Sequence, residues 1–199
     1  MAIVAGRPTL ILIAGPNGAG KSTFHETVLA PRIAAPFVNA DLIQRDELAD
    51  PSPAAAYEAA RIAADRRASY IAEGRSFVTE TVFSHPSKLD LLRQARAAGF
   101  RLVVFHIGLA SEDLAVARVV ERIAEGGHPV PEDKIRARYA RSGALIREAV
   151  LLADRAQVLD GSALNEPPRM LLEFIGGQEV RRSGDMPRWA RALYDDPRS

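Results

Sequence analysis

A glycine-rich stretch near the start of the chain, residues 15–23, carries the clearest chemical signal. It matches the pattern G-x-x-x-x-G-K-[S/T], whose glycines let backbone N–H groups wrap a polyphosphate closely. Lys21 would supply a positive charge for the β- and γ-phosphates, and the Ser22 hydroxyl would bind Mg²⁺. The apolar run Thr9–Ala14 before the pattern and the helical sequence after it favour this interpretation over a plain glycine-rich turn. The residues of this phosphate loop, all predicted to bind nucleotide, are Gly15, Pro16, Asn17, Gly18, Ala19, Gly20, Lys21, Ser22 and Thr23.

Carboxylates follow two further predicted strands. Asp41 comes after a short strand at 37–39, where the carboxyl edge of a parallel sheet would let it accept the proton of an attacking hydroxyl. An Asp before a helix is also a common N-cap, and the two roles can coexist. Glu80, in a strand predicted at 77–83, could bind sugar hydroxyls or hold Mg²⁺ through water, or it could lie on a solvated strand end.

Arginines recur on two predicted helices late in the chain. Arg118 and Arg122 are four residues apart and Arg138 and Arg141 are three apart, so each pair shares a helix face. A glycine- and proline-rich loop at 125–131 joins the helices. We expect a lid whose closure brings guanidinium groups onto a transferring phosphoryl group, the alternative being two solvated faces of an arginine-rich protein.

The elements that must position these residues alternate along the chain. Short apolar runs separated by helical stretches imply βαβ units, so we predict an α/β fold of the P-loop NTPase or kinase type. Its sheet should be central, parallel and five-stranded, with helices on both faces. We predict one domain over residues 1–199, with a helical lid at about 111–142. A C-terminal appendage at about 165–199 should contain a hairpin that turns at 176–177.

The composition excludes several function classes. The 199 residues contain no cysteine, which rules out disulfide scaffolds, cysteine-ligated zinc and cysteine nucleophiles. The 26 basic and 25 acidic residues nearly balance, which argues against a protein built to coat nucleic acid. The longest apolar run, Thr9–Ala14, is far shorter than the roughly 20 residues that span a bilayer. We therefore expect a cytoplasmic monomer that binds neither nucleic acid nor a membrane.

The phosphate loop does not by itself say where a phosphoryl group would go. The chain has no Asn-Lys-x-Asp guanine motif and no apolar strand that ends in adjacent Asp and Glu, as a motor ATPase would. A carboxylate beside the nucleotide fits a kinase better. Two alternatives stay open: a kinase for another hydroxyl, such as that of a nucleoside, an antibiotic or a cofactor precursor, and a nucleotide-binding module without transfer.

Four blocks of the chain together resemble the zeta toxin family, the kinase toxins of some bacterial toxin–antitoxin systems. The blocks are GPNGAGKST at 15–23, NAD at 39–41, Glu80 and Thr81 with Ser84, and GGHPVP…RYARS between 126 and 142. The resemblance covers about residues 8–162. The phosphate loop alone is shared with many kinases, whereas the ordered set is much more specific.

The resemblance implies a P-loop kinase fold with ATP and Mg²⁺, and transfer to a sugar hydroxyl of UDP-N-acetylglucosamine or a related nucleotide sugar. It also implies an antitoxin protein as a partner. Lys21 matches the family's loop lysine, and Asp41 matches its catalytic base. The four lid arginines match an arginine-bearing region, without deciding which two clamp phosphate; Arg118 and Arg122 are predicted to be catalytic. The predicted substrate-binding residues are Asn39, Asp41, Glu80, Thr81, Ser84, Arg138 and Arg141.

Overall fold

The computed structural model describes residues 6–124 and 130–195 of the chain. Within these ranges a single seven-stranded sheet has the order β2-β3-β1-β4-β5-β6-β7. The first five strands in this order are parallel, and β6 and β7 are antiparallel to their neighbours. The strands are β1 (Thr9–Ala14), β2 (Phe37–Val38), β3 (Phe77–Thr81), β4 (Arg101–Gly108), β5 (Arg155–Asp160), β6 (Arg169–Ile175) and β7 (Gln178–Arg182).

Helices connect the parallel strands, as expected of βαβ units. Two of the helices, α1 and α2, continue directly into π-helical turns, His25–Leu29 and Gln44–Leu48 respectively. The helices of the described residues are α1 (Lys21–Phe24), α2 (Ala40–Ile43), α3 (Pro53–Ala72), α4 (Ser87–Ala97), α5 (Glu112–Ala124), α6 (Glu132–Leu152) and α7 (Arg188–Tyr194).

Two apolar layers, one on each face of the sheet, hold the helices in place. All six residues of β1 are buried, because β1 lies between β3 and β4 and is covered on both faces. Alternate β1 side chains enter opposite layers, with Leu10 and Leu12 in one and Ile11 and Ile13 in the other. Helices α3 and α4 contribute to the first layer and α1 and α5 to the second, so the prediction of helices on both faces is confirmed.

The predicted number of five strands is wrong. The five parallel strands are present, but the C-terminal hairpin extends the same sheet instead of standing apart, because β6 pairs with β5. Leu171, Leu172 and Phe174 of β6 are buried in the apolar layer that also receives α7. The hairpin joins the sheet for two reasons. Its apolar side chains are buried there, and the edge of β5 offers backbone groups with which β6 can pair.

The two helices of the predicted lid are tied to each other and to the sheet. The Arg136 guanidinium on α6 lies 3.1 Å from a Glu112 carboxylate oxygen and 2.6 Å from one of Asp113, both at the start of α5. The Tyr139 hydroxyl donates a hydrogen bond to the carbonyl oxygen of Leu109 at 2.8 Å. Residues 125–129 of the connecting loop predicted at 125–131, which include Gly126, Gly127 and His128, lie outside the described part of the chain.

No helix within residues 6–124 and 130–195 combines the length and apolar character needed to cross a membrane.

Candidate active site

The phosphate loop connects the end of β1 to the start of α1. The backbone at three of its glycines leaves no room for a side chain or adopts a conformation that side chains disfavour. A Cβ on Gly15 would lie 2.1 Å from the Ile107 carbonyl oxygen of β4. Gly18 and Gly20 have φ angles of 75° and 76°, in the left-handed region that side chains disfavour. The first N–H groups of α1 have no partner within the helix, so the end of the loop is suited to bind an anion.

Lys21, the first residue of α1, is buried under the phosphate loop. Its ammonium group donates a hydrogen bond to the Pro16 carbonyl oxygen at 3.0 Å. Burial lowers the pKa of Lys21, while the carboxylates of Glu80 and Asp41 act in the opposite direction. The positive charges of Arg122 and Arg138 lower this pKa further. Five charged side chains from five different elements are therefore close enough to interact at this position.

Glu80 lies on β3, which pairs directly with β1 so that Glu80 is opposite Ile13. The Ser22 hydroxyl of α1 donates a hydrogen bond to the Glu80 carboxylate at 2.9 Å. Burial raises the pKa of Glu80, and the charge of Lys21 and the Ser22 hydrogen bond offset part of that rise. A hydroxyl and a carboxylate are the hard oxygen donors that Mg²⁺ prefers, so the two residues fit a magnesium site that phosphate oxygens would complete. Residues 6–124 and 130–195 contain no cluster of three or more metal-binding His, Asp or Glu side chains.

Asp41 lies in the first turn of α2, directly after the short strand β2. The N-cap of α2 is Asn39: its side-chain oxygen accepts hydrogen bonds from the backbone N–H groups of Asp41 at 2.7 Å and Leu42 at 3.4 Å. The N-cap role that the sequence left open for Asp41 therefore belongs to Asn39, two residues earlier. The Asp41 carboxylate is exposed to the same cavity that Lys21 and Glu80 line.

The chain turns sharply after β3. Phe83, although buried, has a φ of 59°, and its N–H donates a hydrogen bond to the Thr81 hydroxyl at 3.1 Å. A bulky residue in the left-handed region is strained, and such strain is commonest at functional sites. The turn lets Thr81 and Ser84 line one cavity with Glu80.

These residues share a cavity of about 1120 Å³. Gly15, Pro16 and Arg141 are the predicted site residues that do not line it; the Arg141 guanidinium donates to the Ala137 carbonyl of its own helix at 3.0 Å. The predicted site residues that line the cavity are Asn17, Gly18, Ala19, Gly20, Lys21, Ser22, Thr23, Asn39, Asp41, Glu80, Thr81, Ser84, Arg118, Arg122 and Arg138.

Arg118 on α5 donates hydrogen bonds to backbone carbonyl oxygens. Its guanidinium donates hydrogen bonds to the carbonyl oxygen of Gly18 in the phosphate loop at 3.4 Å and to three carbonyls just after β5. Those three belong to Gly161 at 2.6 Å, Ser162 at 2.9 Å and Ala163 at 2.8 Å. This arrangement gives Arg118 a positioning role, in which it joins the phosphate loop to the segment after β5.

Two cationic residues of the cavity wall escaped the sequence interpretation. Arg67 on α3 and Lys88 on α4 line the cavity together with the predicted residues. Neither belongs to a local motif. The available signal was spacing: Arg67 follows the buried Ala55, Ala59 and Ala63 at intervals of four, on the face of α3 that packs inward. The segment after β5 was also missed, although residues 163–168 line the cavity. It follows a strand at the carboxyl edge of the sheet, where ligands of α/β folds bind.

Known proteins resemble this chain over most of its length. A family model described as an AAA domain matches residues 10–145, more than half of the chain. An uncharacterized protein of Haemophilus influenzae is 28% identical over 133 residues, which are 65% of this chain and 91% of the relative.

Solved structures with the same fold include a sugar kinase and a structure from a toxin–antitoxin system. AvrRxo1-ORF1:-ORF2 with ATP matches with a TM-score of 0.65 and 16% identity, over 88% of this chain and 61% of that one. The PezAT chromosomal toxin–antitoxin system of Streptococcus pneumoniae matches with a TM-score of 0.61 and 13% identity, over 96% and 80%. A sugar kinase from Janibacter matches with a TM-score of 0.52 and 19% identity, over 80% and 87%. The chain thus spans about three fifths of the AvrRxo1 chain. The likeness is one of fold, and that fold is the α/β P-loop kinase-like type.

Proposed function

This chain belongs to the AAA domain family, and from that premise we propose that it is an ATP-dependent kinase that phosphorylates a hydroxyl of a small molecule. The observation that carries the proposal is the convergence of Lys21, Asp41 and the Ser22–Glu80 pair on one cavity. A phosphate-binding loop supports nucleotide binding alone. The exposed Asp41 carboxylate in the same cavity adds a proton acceptor, which phosphoryl transfer to an alcohol requires.

In the proposed reaction the acceptor hydroxyl oxygen attacks the γ-phosphorus of ATP while Asp41 takes the hydroxyl proton. The bond between the γ-phosphorus and the β,γ-bridging oxygen breaks, and ADP leaves. Lys21 exchanges its hydrogen bond to the Pro16 carbonyl for phosphate oxygens, so its charge serves the ligand when one is bound. Arg122 and Arg138, whose charges already reach Lys21, are proposed to stabilise the transferring phosphoryl group.

Ser22 and Glu80 are proposed to hold Mg²⁺, Ser22 directly and Glu80 directly or through water. When bound, the ion neutralises charge on the phosphates. Glu80 has a second proposed task, since Thr81 and Ser84 line the cavity beside it and offer hydroxyls to an acceptor.

We propose UDP-N-acetylglucosamine or a related nucleotide sugar as the acceptor. The ordered set of motifs that resembles the zeta toxins supports this choice, and so does the likeness of fold to a structure from the PezAT toxin–antitoxin system. The same likeness supports a proposed partner protein that would restrain the activity in the cell. The likeness to the Janibacter sugar kinase keeps a simpler sugar as the second candidate acceptor.

The proposal is tested by incubating the full chain with ATP, Mg²⁺ and UDP-N-acetylglucosamine, reading ADP release and the mass of the sugar. We expect the sugar to gain one phosphoryl group. Asp41→Asn should lower kcat by about 100-fold or more, because it removes the proton acceptor. Asp65→Asn, at an exposed position on α3, is the matched control.

If Asp41→Asn transfers phosphate as fast as the parent chain, Asp41 is not the base. Tight ATP binding without ADP release against UDP-sugars, free sugars, nucleosides and antibiotics would instead identify a nucleotide-binding module. Inducible expression of the parent and of Lys21→Ala, followed by metabolite profiling, extends the test to cells. A phosphorylated nucleotide sugar should appear only with the parent.

A further inference from the structure

Helix α3 contributes a cationic residue, Arg67, to the cavity wall. Ala55, Ala59 and Ala63 form a buried stripe, and Arg67 continues it one turn later. The side chain of Arg67 is half-buried and lines the same cavity as the phosphate loop. Burial lowers the pKa of Arg67, so its charge stands in surroundings that solvate it poorly.

Helix α4 brings a second cation to the same wall. Lys88 lies in the first turn of α4, next in sequence to the buried Leu89, and lines the cavity. Burial lowers the pKa of Lys88, and the positive charge of Arg67 lowers it further, so the two groups are close enough to repel each other.

Neither cation has an anionic partner among residues 6–124 and 130–195. Among the ion pairs of residues 6–124 and 130–195, the neighbouring Arg66 is bound to Glu47 and Arg93 is bound to Asp90, whereas Arg67 and Lys88 have no carboxylate partner. Two half-buried like charges without a counter-ion cost free energy, and an anion placed between them would recover it.

The other cationic residues of the two helices have partners in the described structure. Arg61 on α3 is bound to Glu58 and Asp65, and Arg96 on α4 donates to the Leu152 carbonyl oxygen. Only the two cationic side chains of these helices that line the cavity have neither an ion pair nor a hydrogen bond there.

We infer that Arg67 and Lys88 form an anion subsite for the acceptor, so that the acceptor alcohol carries a phosphate or diphosphate ester. The subsite is separate from the phosphate loop, which takes the phosphates of ATP, and both open into one cavity. The inference rests on the proposed function and narrows its substrate class: an uncharged sugar would leave the two cations unpaired.

Binding measurements test the subsite without requiring turnover. The full chain is first saturated with Mg²⁺ and a non-hydrolysable ATP analogue, which occupies the phosphate loop. UDP, inorganic phosphate and the uncharged N-acetylglucosamine are then titrated separately by calorimetry. We expect UDP to bind about tenfold or more weakly to Arg67→Gln and to Lys88→Gln than to the parent, because each loses a charged hydrogen-bond donor. Arg93→Gln on α4 removes an exposed charge and is the matched control.

Conservative variants and the second ligand separate this effect from misfolding. Arg67→Lys keeps the charge and should bind UDP within about threefold of the parent. Every variant should keep the parent's affinity for the ATP analogue. Weakening confined to UDP indicates an ester subsite, whereas equal weakening for inorganic phosphate indicates a site for the free ion and overturns the ester assignment. Unchanged UDP affinity in a double variant that still binds the ATP analogue overturns the inference altogether, as does a parent chain that binds no UDP.

Turnover distinguishes this inference from the proposed function. If the chain phosphorylates an acceptor, Arg67→Gln and Lys88→Gln should raise its KM and leave kcat within a few-fold. If UDP binding depends on both cations and yet no acceptor is phosphorylated, the subsite stands and the kinase proposal fails. If phosphorylation occurs with an unchanged KM in both variants, the kinase proposal stands and the subsite fails.

Discussion

The hydrogen bond between Ser22 and Glu80 joins two side chains with separate origins in the sequence. Ser22 belongs to the phosphate-loop motif, while Glu80 comes from a strand 58 residues later. The parallel pairing of β1 with β3 brings them together, because it aligns the carboxyl ends of the two strands. Burial keeps the pKa of Glu80 above its usual range, so the carboxylate depends on nearby positive charge to stay ionised.

Glu80→Gln should raise the Mg²⁺ concentration needed for half-maximal rate by about 10- to 100-fold, since an amide lacks the charge that holds the ion. A magnesium titration of ADP release measures the effect. Glu148→Gln, exposed on α6, should leave the titration unchanged. An identical magnesium requirement in Glu80→Gln and the parent would show that Glu80 takes no part in metal binding.

At the residue scale, local motifs predicted Lys21, Ser22, Asp41 and Glu80 as site residues, and the structure brings the four to one cavity. Glu80 lies near the carboxyl end of β3, Asp41 follows β2, and the phosphate loop follows β1; parallel strands bring these carboxyl ends to one edge of the sheet. Arg67 and Lys88 could not be found in this way. Their position depends on how α3 and α4 are rotated against the sheet, which packing decides and no short motif encodes.

At the scale of elements, α5 anchors the phosphate loop through Arg118. The guanidinium ties the Gly18 carbonyl to carbonyls just after β5, so one side chain joins three segments. Sequence spacing placed Arg118 and Arg122 on one face of α5. It could not tell that Arg118 would bind backbone carbonyls, because the carbonyls of the segment after β5 leave no trace in the residue pattern. Phosphate binding by either arginine stays a prediction.

Arg118→Ala should lower the free energy of unfolding by about 1–3 kcal/mol, because carbonyls that lose their donor become poorly solvated. It should also raise the KM for ATP, since the phosphate loop loses one of its supports. Urea denaturation and steady-state kinetics measure the two effects. Arg141→Ala on α6 removes a guanidinium that binds only within its own helix in the described structure, and it should change neither quantity. A stable Arg118→Ala with the parent's KM would contradict the positioning role.

At the scale of the whole molecule, the C-terminal segment completes the core. The Trp189 ring packs where Gly108 has no side chain, and a Cβ on that glycine would lie 2.3 Å from the ring. The buried imidazole of His106 on β4 lies 2.8 Å from the Tyr194 hydroxyl of α7. The sequence predicted the hairpin, but it contained no sign of where the C-terminal segment packs, because that depends on the apolar surface that β5 and α6 create together.

The buried His106 predicts how stability depends on pH. Burial lowers its pKa to about 3 in the folded state, against about 6.5 in the unfolded chain. The unfolded state therefore binds more protons between these two values, and the free energy of unfolding falls as the pH drops below 6.5. From pH 6.5 to 5 the loss from this group should be about 2 kcal/mol.

Urea denaturation of the parent at several pH values measures this loss. His106→Gln should flatten the pH dependence, whereas the exposed His85→Gln should preserve it. A variant without His106 that keeps the whole slope would assign the acid sensitivity to other groups.

The strand that leads to Asp41 is the least supported in the sheet. β2 lies at the edge and pairs with β3 over two residues, assisted by a hydrogen bond from the Thr79 hydroxyl to the Val38 carbonyl at 2.8 Å. The phosphate loop, in contrast, follows the fully buried β1 between two neighbours. We therefore expect the segment that carries Asp41 to be less rigid than the phosphate loop. In the proposed kinase, the rigid phosphate loop would hold the nucleotide, and the less rigid β2 and α2 would adjust to acceptors of different size. Substitutions in β2 and α2 would then change the range of acceptors without changing the affinity for ATP.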